Sequence, residues 1–391
     1  MLEYRCRRSS TCFEGGHKVK ILHLIYDDIN NPWCGGGGAV RAYEINRRLA
    51  QRHDITVATG NYPGARREVI DGVRYVRIGS NKSYLLSRVT FSLQALIKLK
   101  NFRYDILIDD FSPFSPCFAS LYSKKPVVTS IQSYLGYHHF RKHLIAGMFS
   151  FLFEYLNLKA SDFVITISPW LEEKIKSKVK QNAVVKCIFN GLNEEWFNIS
   201  DFEEEDYILF IGRIDFYTKG IDILLKAFAV VSCKVPKVVL KLVGRGNGKD
   251  IRKTIRLIDR LDIKDKVQLI GPVYDVEEKQ SLFAKSKFVC MPSRFEGWPI
   301  VSIEAAAAGK AVIGTKIPGL SDAVKDGETG ILVPSDDPDE LANAMIYLLE
   351  HKEERKRMGE NGRKWARRFN WDEIAKEQEQ FYWEVVKSAR N

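Results

Sequence analysis

The sequence predicts an α/β protein with two parallel-sheet halves, and three observations carry this. Lys287–Thr315 reads as strand, loop, short helix and strand. Near the other end, a strand at Val19–Tyr26 runs into a loop closing on Gly35–Gly38 and then a helix at Ala39–Gln51. Finally, 391 residues are long for one core and suit two domains. A strand–helix–strand unit needs a crossover, so its strands lie parallel and its loops gather at their carboxyl ends.

In the Lys287–Thr315 unit the apolar run Phe288–Met291, bounded by Pro292 and Ser293, is the strand. After the loop Arg294–Pro299, Val301–Ala308 carries four alanines, which favour helix, and Gly309 suits its C-terminal cap. Ala311–Gly314 returns as the second strand. Glu296 falls in the loop and Glu304 in the helix, both among apolar neighbours Trp298, Ile300, Val301 and Ile303.

The first half reads in order from Val19–Tyr26. Helix Ala39–Gln51 sets Ala42, Ile45 and Leu49 on one side. Strands follow at Ile55–Thr59, Ile106–Asp109, Val127–Ile131, Phe163–Ile167 and Val184–Phe189, with Gly72–Ile78 as an added edge strand. Helices are expected at Tyr84–Lys100, Phe114–Tyr122, much of His138–Lys159, and Pro169–Val179. Asp109, Asp110 and Ser112 close a strand at its carboxyl end, where ligands tend to sit. The acidic run Asn193–Asp206 reads as a linker. Strands at Tyr207–Gly212, Val239–Gly244 and Val267–Ile270 open the second half, the last expected near a nucleotide base. The last helix, Trp371–Ser388, gathers Trp371, Ile374, Phe381, Tyr382 and Val385 on one side. Residues 1–17 read as a basic tail without the apolar core of a secretory signal.

The charge is uneven. Residues 1–200 hold 28 Lys/Arg against 17 Asp/Glu, and residues 201–391 hold 32 of each, so the whole formal excess of +11 lies in the first half. Such a half can face phospholipid headgroups, a lipid-linked phosphate or an acidic glycan. The basic residues form no aromatic-interleaved stripe, which speaks against nucleic acid. Arg141, Lys142 and His143 beside Phe149, Leu152 and Phe153 could lie on an anionic membrane, or the apolar residues could be core. The seven cysteines are scattered and form no CxxC pair, so a reducing cytoplasm, with access to the inner face of the plasma membrane, is the simpler home.

Glu296 and Glu304, followed respectively by Gly297 and by Ala305–Gly309, resemble the Glu-x7-Glu signature of the family-4 retaining glycosyltransferases. The likeness continues through Ile317–Met345, and upstream Phe210–Phe228 resembles that family's Gly-Arg…Lys-Gly phosphate-binding segment. It implies two facing Rossmann-like domains (the GT-B fold) with an interdomain cleft. The first domain, residues 18–195, would present the acceptor; the second, residues 205–370, would hold a nucleotide-diphospho-sugar as co-substrate. The terminal helix at 371–388 would cross back to the first domain.

The resemblance also implies site residues. Arg213 and Lys219 would pair with the diphosphate, Arg as a fork and Lys as a point charge, near Gly212 and Gly244. Glu296, with the backbone of Gly297, Trp298, Pro299 and Ile300, would fix the sugar, and Glu304 would hold the ribose. From the first domain, Gly36 and Gly37 of the glycine loop and Asn190 of the Ile188–Trp196 segment would face the cleft. Gln132 stands where the family usually carries a His; it can hydrogen-bond a hydroxyl but carries no charge. His138, His139 and His143 make a poor metal site, and no metal or resident cofactor is expected. The acceptor would be a cell-envelope glycan or a lipid-linked one. Two rivals remain. A dinucleotide oxidoreductase would need GxGxxG after the first strand, which GGGGA does not supply. A non-catalytic sugar-nucleotide binder of the same fold is suggested by Gln132.

Overall fold

The structure, a computed structural model, describes residues 18–134, 144–199 and 202–389. The tail at 1–17, and His138, His139, Arg141, Lys142 and His143, lie outside the described residues.

Two parallel sheets form, each around a buried apolar set. The first contains β1 (Lys20–Leu24), β2 (Asp54–Gly60), β3 (Glu68–Ile70), β4 (Val73–Ile78), β5 (Ile106–Asp110), β6 (Val127–Ile131), β7 (Phe163–Thr166) and β8 (Val184–Cys187). Among the described residues its order is β3-β4-β2-β1-β5-β6-β7-β8. The strand expected at the edge, Gly72–Ile78, is one place in: β4 pairs in parallel with β2, and the short β3 covers its outer side antiparallel. The turn between them holds Asp71 and Gly72 at positive φ, the hairpin geometry the strand periodicity alone does not reveal.

Helices of the first half are α1 (Gly37–Leu49), α2 (Tyr84–Lys98), α3 (Ala119–Tyr122), α4 (Leu144–Ala160) and α5 (Pro169–Lys176). The helix expected over Phe114–Tyr122 is reduced to α3. Ser115 and Pro116 favour a turn, and Phe118 sits in the left-handed region at φ 49°, so the helix starts only at Ala119.

The second sheet holds β9 (Tyr207–Ile211), β10 (Val239–Val243), β11 (Val267–Ile270), β12 (Val289–Met291), β13 (Val312–Thr315) and β14 (Gly330–Val333). Its order is β11-β10-β9-β12-β13-β14, the doubly wound arrangement. All five residues of β9 are buried, as a central parallel strand requires. Its helices are α6 (Ile221–Lys234), α7 (Gly248–Arg260), α8 (Val276–Lys285), α9 (Ile300–Ala307), α10 (Leu320–Ala323), α11 (Pro338–Glu350) and α12 (Lys352–Ala366).

The chain crosses between the halves twice, and the crossings are zipped together. The Leu192 N–H donates to the Phe369 carbonyl at 2.7 Å, and the Trp371 N–H to the Leu192 carbonyl at 3.1 Å. The terminal helix, α13 (Trp371–Ser388), then packs on α1 of the first half. Its apolar face finds the partner the sequence demanded, with Trp371, Phe381 and Val385 buried. Arg41, 2% exposed, ties the joint: its guanidinium donates to the Phe189 carbonyl (2.6 Å), Asn190 Oδ1 (2.9 Å) and Gln378 Oε1 (2.6 Å).

Gly191 lies at this joint, where a Cβ would come within 2.9–3.0 Å of Trp371 and Ile374. Gly191→Ala is therefore expected to destabilise the fold by about 1–3 kcal/mol, the scale of overpacking. Urea unfolding would measure this, and limited proteolysis should show earlier cleavage before α13.

Candidate active site

In doubly wound sheets ligands bind outside the carboxyl ends of the strands where the winding reverses. Both reversal points face each other here. From the second half, Gly212 follows β9 and Ser293–Val301 follows β12; from the first, the glycine loop follows β1, Asp110 ends β5 and Gln132 follows β6. Between them lies a cavity of about 300 Å³, lined by Gly37, Gly38, Gln132 and Asn190 on one side and by Gly212, Lys219, Ser293 and Glu296–Val301 on the other.

Lys219 and Glu296 are the only charged side chains among the described lining residues. Lys219 Nζ lies 2.6 Å from Glu296 Oε1, which also accepts from Ser293 Oγ at 2.7 Å. Lys219 sits on a loop held by Arg294. The Arg294 fork takes both oxygens of Asp222 at 2.8 Å, donates to the Tyr217 carbonyl (2.6 Å) and pairs with Asp336 (2.6 Å). The hydrogen bonds to Asp222 hold its guanidinium above its ordinary range.

Two helices from opposite halves begin at this cavity. Helix α1 starts after Gly36 and α9 after Pro299, and neither N-terminus has a side-chain cap. Their first-turn N–H groups are therefore open to an anion. The halves touch closely: a Cβ on Gly297 would fall inside van der Waals contact of the Gln132 carbonyl oxygen, so only glycine allows this approach.

Behind Gln132 is a polar layer. Gln132 Nε2 donates to Ser130 Oγ at 3.1 Å and lies 3.4 Å from both oxygens of Asp110. His23 Nε2 is 3.5 Å from Asp110 Oδ2, and its Nδ1 meets Asn46 at 2.8 Å. The neighbouring Asp109 is buried, and burial pushes its carboxyl up to about 7, opposed by the Ala119 N–H it accepts from.

Two family models cover most of the chain between them. "Glycosyltransferase Family 4" matches residues 35–196 and "Glycosyl transferases group 1" matches residues 193–365. The chain belongs to the family-4 glycosyltransferases. An uncharacterized glycosyltransferase of Methanocaldococcus jannaschii is 26% identical over 90% of this chain and 95% of its own. The N-acetyl-alpha-D-glucosaminyl L-malate synthase of Bacillus anthracis is 25% identical over 96% and 99%. Among solved structures, sucrose-phosphate synthase from Thermosynechococcus elongatus superposes with a TM-score of 0.81 at 22% identity, over 95% of this chain and all of that one. HepE of Anabaena, in complex with UDP and glucose, gives 0.75 at 18%, over 94% and 100%. These likenesses establish the GT-B fold of two Rossmann-like domains.

Within this glycosyltransferase, the residues expected from the sequence separate into two groups. Gly37, Gln132, Asn190, Gly212, Lys219, Glu296, Gly297, Trp298, Pro299 and Ile300 all line the cavity. Gly36, Arg213, Gly244 and Glu304 do not. Gly36 is the residue before α1. A Cβ on Gly244 would strike the Gly212 carbonyl at the ends of β9 and β10, and the two glycines have φ of 145° and 151°, a backbone that favours glycine. Arg213 is solvent-exposed, 3.6 Å from Asp215. Glu304 is buried one turn into α9; its Oε1 pairs with Lys279 and its Oε2 has no partner. Trp298 also packs its ring against Phe189 and Phe369. Strand β11, expected near the base, is the outermost strand of its sheet and contributes nothing to the cavity lining.

Sequence reading missed Ser293, Lys279 and Arg41. Arg41 carried a signal, since it lies four and eight residues before Ile45 and Leu49 on the buried face of α1. Ser293 precedes Glu296 by one helical turn's spacing. Lys279 had none, being one basic residue among many and 25 positions from Glu304.

Arg294→Lys keeps the charge but loses the fork. It is expected to destabilise by about 1.5–3 kcal/mol, the scale of hydrogen bonds to a charged group, measurable by urea unfolding. For Asp109, the folded pKa is raised above the unfolded value. The stability it contributes is therefore full below about pH 4 and is lost as pH rises through about 7. Asp109→Asn should flatten that slope and gain on the natural protein by ~2–4 kcal/mol near pH ~8, read from unfolding free energies across this window.

Proposed function

We propose that the protein transfers a sugar from a nucleotide-diphospho-sugar to an acceptor hydroxyl, with retention of configuration. The observation that carries this is the meeting of Lys219 with two uncapped helix N-termini in one cavity between the domains. That arrangement suits a diphosphate: one mobile cation and two sets of N–H groups, preorganised in a partly dry cleft. Arrival of the donor would draw Lys219 from Glu296 to phosphate and free Glu296 for the sugar hydroxyls. Arg213, solvent-exposed next to the lining residue Gly212, would close on the phosphate from outside. Glu304 Oε2, buried and without a partner, suits the ribose hydroxyls.

In the reaction the bond from the anomeric carbon to the diphosphate oxygen breaks, and a new bond forms from that carbon to the acceptor oxygen on the same face. The acceptor's proton passes to the departing phosphate, so no covalent nucleophile is assigned. Lys219, Arg213 and the helix N–H groups would carry the growing charge without an obligatory divalent metal or a resident cofactor. The acceptor side is the first domain, where Gln132, backed by Asp110 and Ser130, would contact a hydroxyl. A cell-envelope glycan or a lipid-linked acceptor, met in the cytoplasm, fits the basic first half. No helix among the described residues is long and apolar enough to cross a membrane.

The HepE structure contains UDP and glucose, which makes UDP-sugars the first donors to screen, beside GDP- and ADP-sugars. A true donor raises Tm by mass action and is slowly hydrolysed; stabilisation without any hydrolysis or transfer would instead favour a non-catalytic binder. Lys219→Ala is expected to lower kcat by about 10²–10³-fold, the effect of removing one preorganised electrostatic group. Arg213→Ala should do the same if it closes on the phosphate. Near-normal kcat in Lys219→Ala would overturn the phosphate assignment. Glu304→Gln should raise the donor KM more than it lowers kcat.

A further inference from the structure

Helix α2 is more apolar outside than inside. Its inward residues Ser87, Phe91 and Ala95 are buried beside β2 and β4. Its outward residues Leu85, Val89, Leu93 and Ile97, spaced by four and so in one line along the helix, are 72%, 50%, 59% and 65% exposed. The line continues sideways. The connections β4–β5, β5–β6 and β6–β7 step the same way through the sheet, so right-handed crossovers set α2, α3 and α4 on one face, opposite α1. Arg88 of α2 reaches Ser112 and Ser115 at 3.0 and 3.3 Å, and Phe118 meets Phe153 of α4 at 5.6 Å. Leu121 and Tyr122 of α3 and Met148, Phe149, Leu152 and Tyr155 of α4 are exposed on these neighbours. A soluble monomer seldom leaves so broad an apolar surface bare.

The surface is also free of acid. No Asp or Glu occurs between Asp71 and Asp105, and between Asp110 and Asp162 the single acid, Glu154, is buried. Lys82, Lys100, Arg103, Lys124, Lys125 and Lys159 are exposed along the same segments.

We propose that the α2–α3–α4 face docks on an anionic lipid bilayer. A bilayer surface offers acyl chains and negative headgroups together, which matches apolar ridges flanked by lysine and arginine. A second copy of this chain would match the ridges but bring a second set of positive charges against the first. Tyr84, at the start of α2, packs edge-on against Tyr26, two residues past β1 on the way to the glycine loop, so the docking face lies toward the carboxyl ends of the strands, where the cleft opens. The inference does not depend on which acceptor is used: a soluble one would leave it standing.

The test is flotation of the full chain with vesicles of phosphatidylcholine, and of phosphatidylcholine mixed with phosphatidylglycerol, at low and high salt. The natural protein is expected to float with the mixed vesicles and to keep part of its binding at high salt. Leu85→Ser/Val89→Ser/Leu93→Ser should lose the salt-resistant part, and Lys100→Glu/Arg103→Glu the salt-sensitive part. Each should lower partitioning roughly ten-fold or more. All five side chains are exposed, so circular dichroism and Tm should match the natural protein in both variants. Absence of flotation with mixed vesicles at low salt overturns the proposal, as does equal flotation of the natural protein and the triple serine variant. A dimer in sedimentation velocity that the triple serine variant abolishes, without vesicle binding, assigns the face to a second copy and also overturns it.

Discussion

The Arg294 fork is the constraint on which the second domain's wall of the cavity depends. It joins the loop after β12 to two stretches far from it in the chain: the β9–α6 loop with the first turn of α6, and the loop after β14. Planar, bidentate pairing fixes direction as well as distance, which a lysine cannot do. With that loop held, Lys219 can point into the cavity while its neighbours Tyr217 and Thr218 satisfy their backbone groups on Arg294. Glu296, two residues after Arg294 and braced by the Ser293 hydroxyl, then meets Lys219 from the next strand. Three strand ends thus become one rigid wall.

Opposing that wall requires the two domains to be set at one distance, and backbone contacts set it. Gly297 lies against the Gln132 carbonyl oxygen, and the Trp170 N–H donates to Asp322 across the cleft at 3.1 Å. The double crossing at Leu192 and Phe369–Trp371 forms the joint, with α13 held to α1 by Arg41 and by Arg48–Asp372, and to the turn after α1 by Glu379, which takes both Arg52 and His53. Asn190 links joint and site, since it lines the cavity and is held by Arg41.

On the first-domain side of the cavity, Gln132 is neutral, and an acidic side chain lies one layer behind it. Asp110 is shared between Gln132 and His23, and His23 is in turn oriented by Asn46.

Much of this was determined by the sequence alone. Period, apolar runs and glycine placement located the strands of both sheets except β3 and β14, and the helix that carries Glu304. Local steric and burial rules act within a few residues and are legible there. The aromatic face of Trp371–Ser388 likewise required a partner wherever it landed. Tertiary structure decided what depends on pairing between distant segments. It placed Lys219 in the cavity and left Arg213 exposed to solvent outside its lining, although both follow the same strand. It gave Glu304 to Lys279, buried Arg41 in the joint, and moved β4 in from the edge by adding β3. It also turned the apolar line of α2 outward, where periodicity shows an apolar stripe but not which side faces the sheet. A side chain's partner is chosen by three-dimensional distance, and sequence spacing carries that distance only within one element.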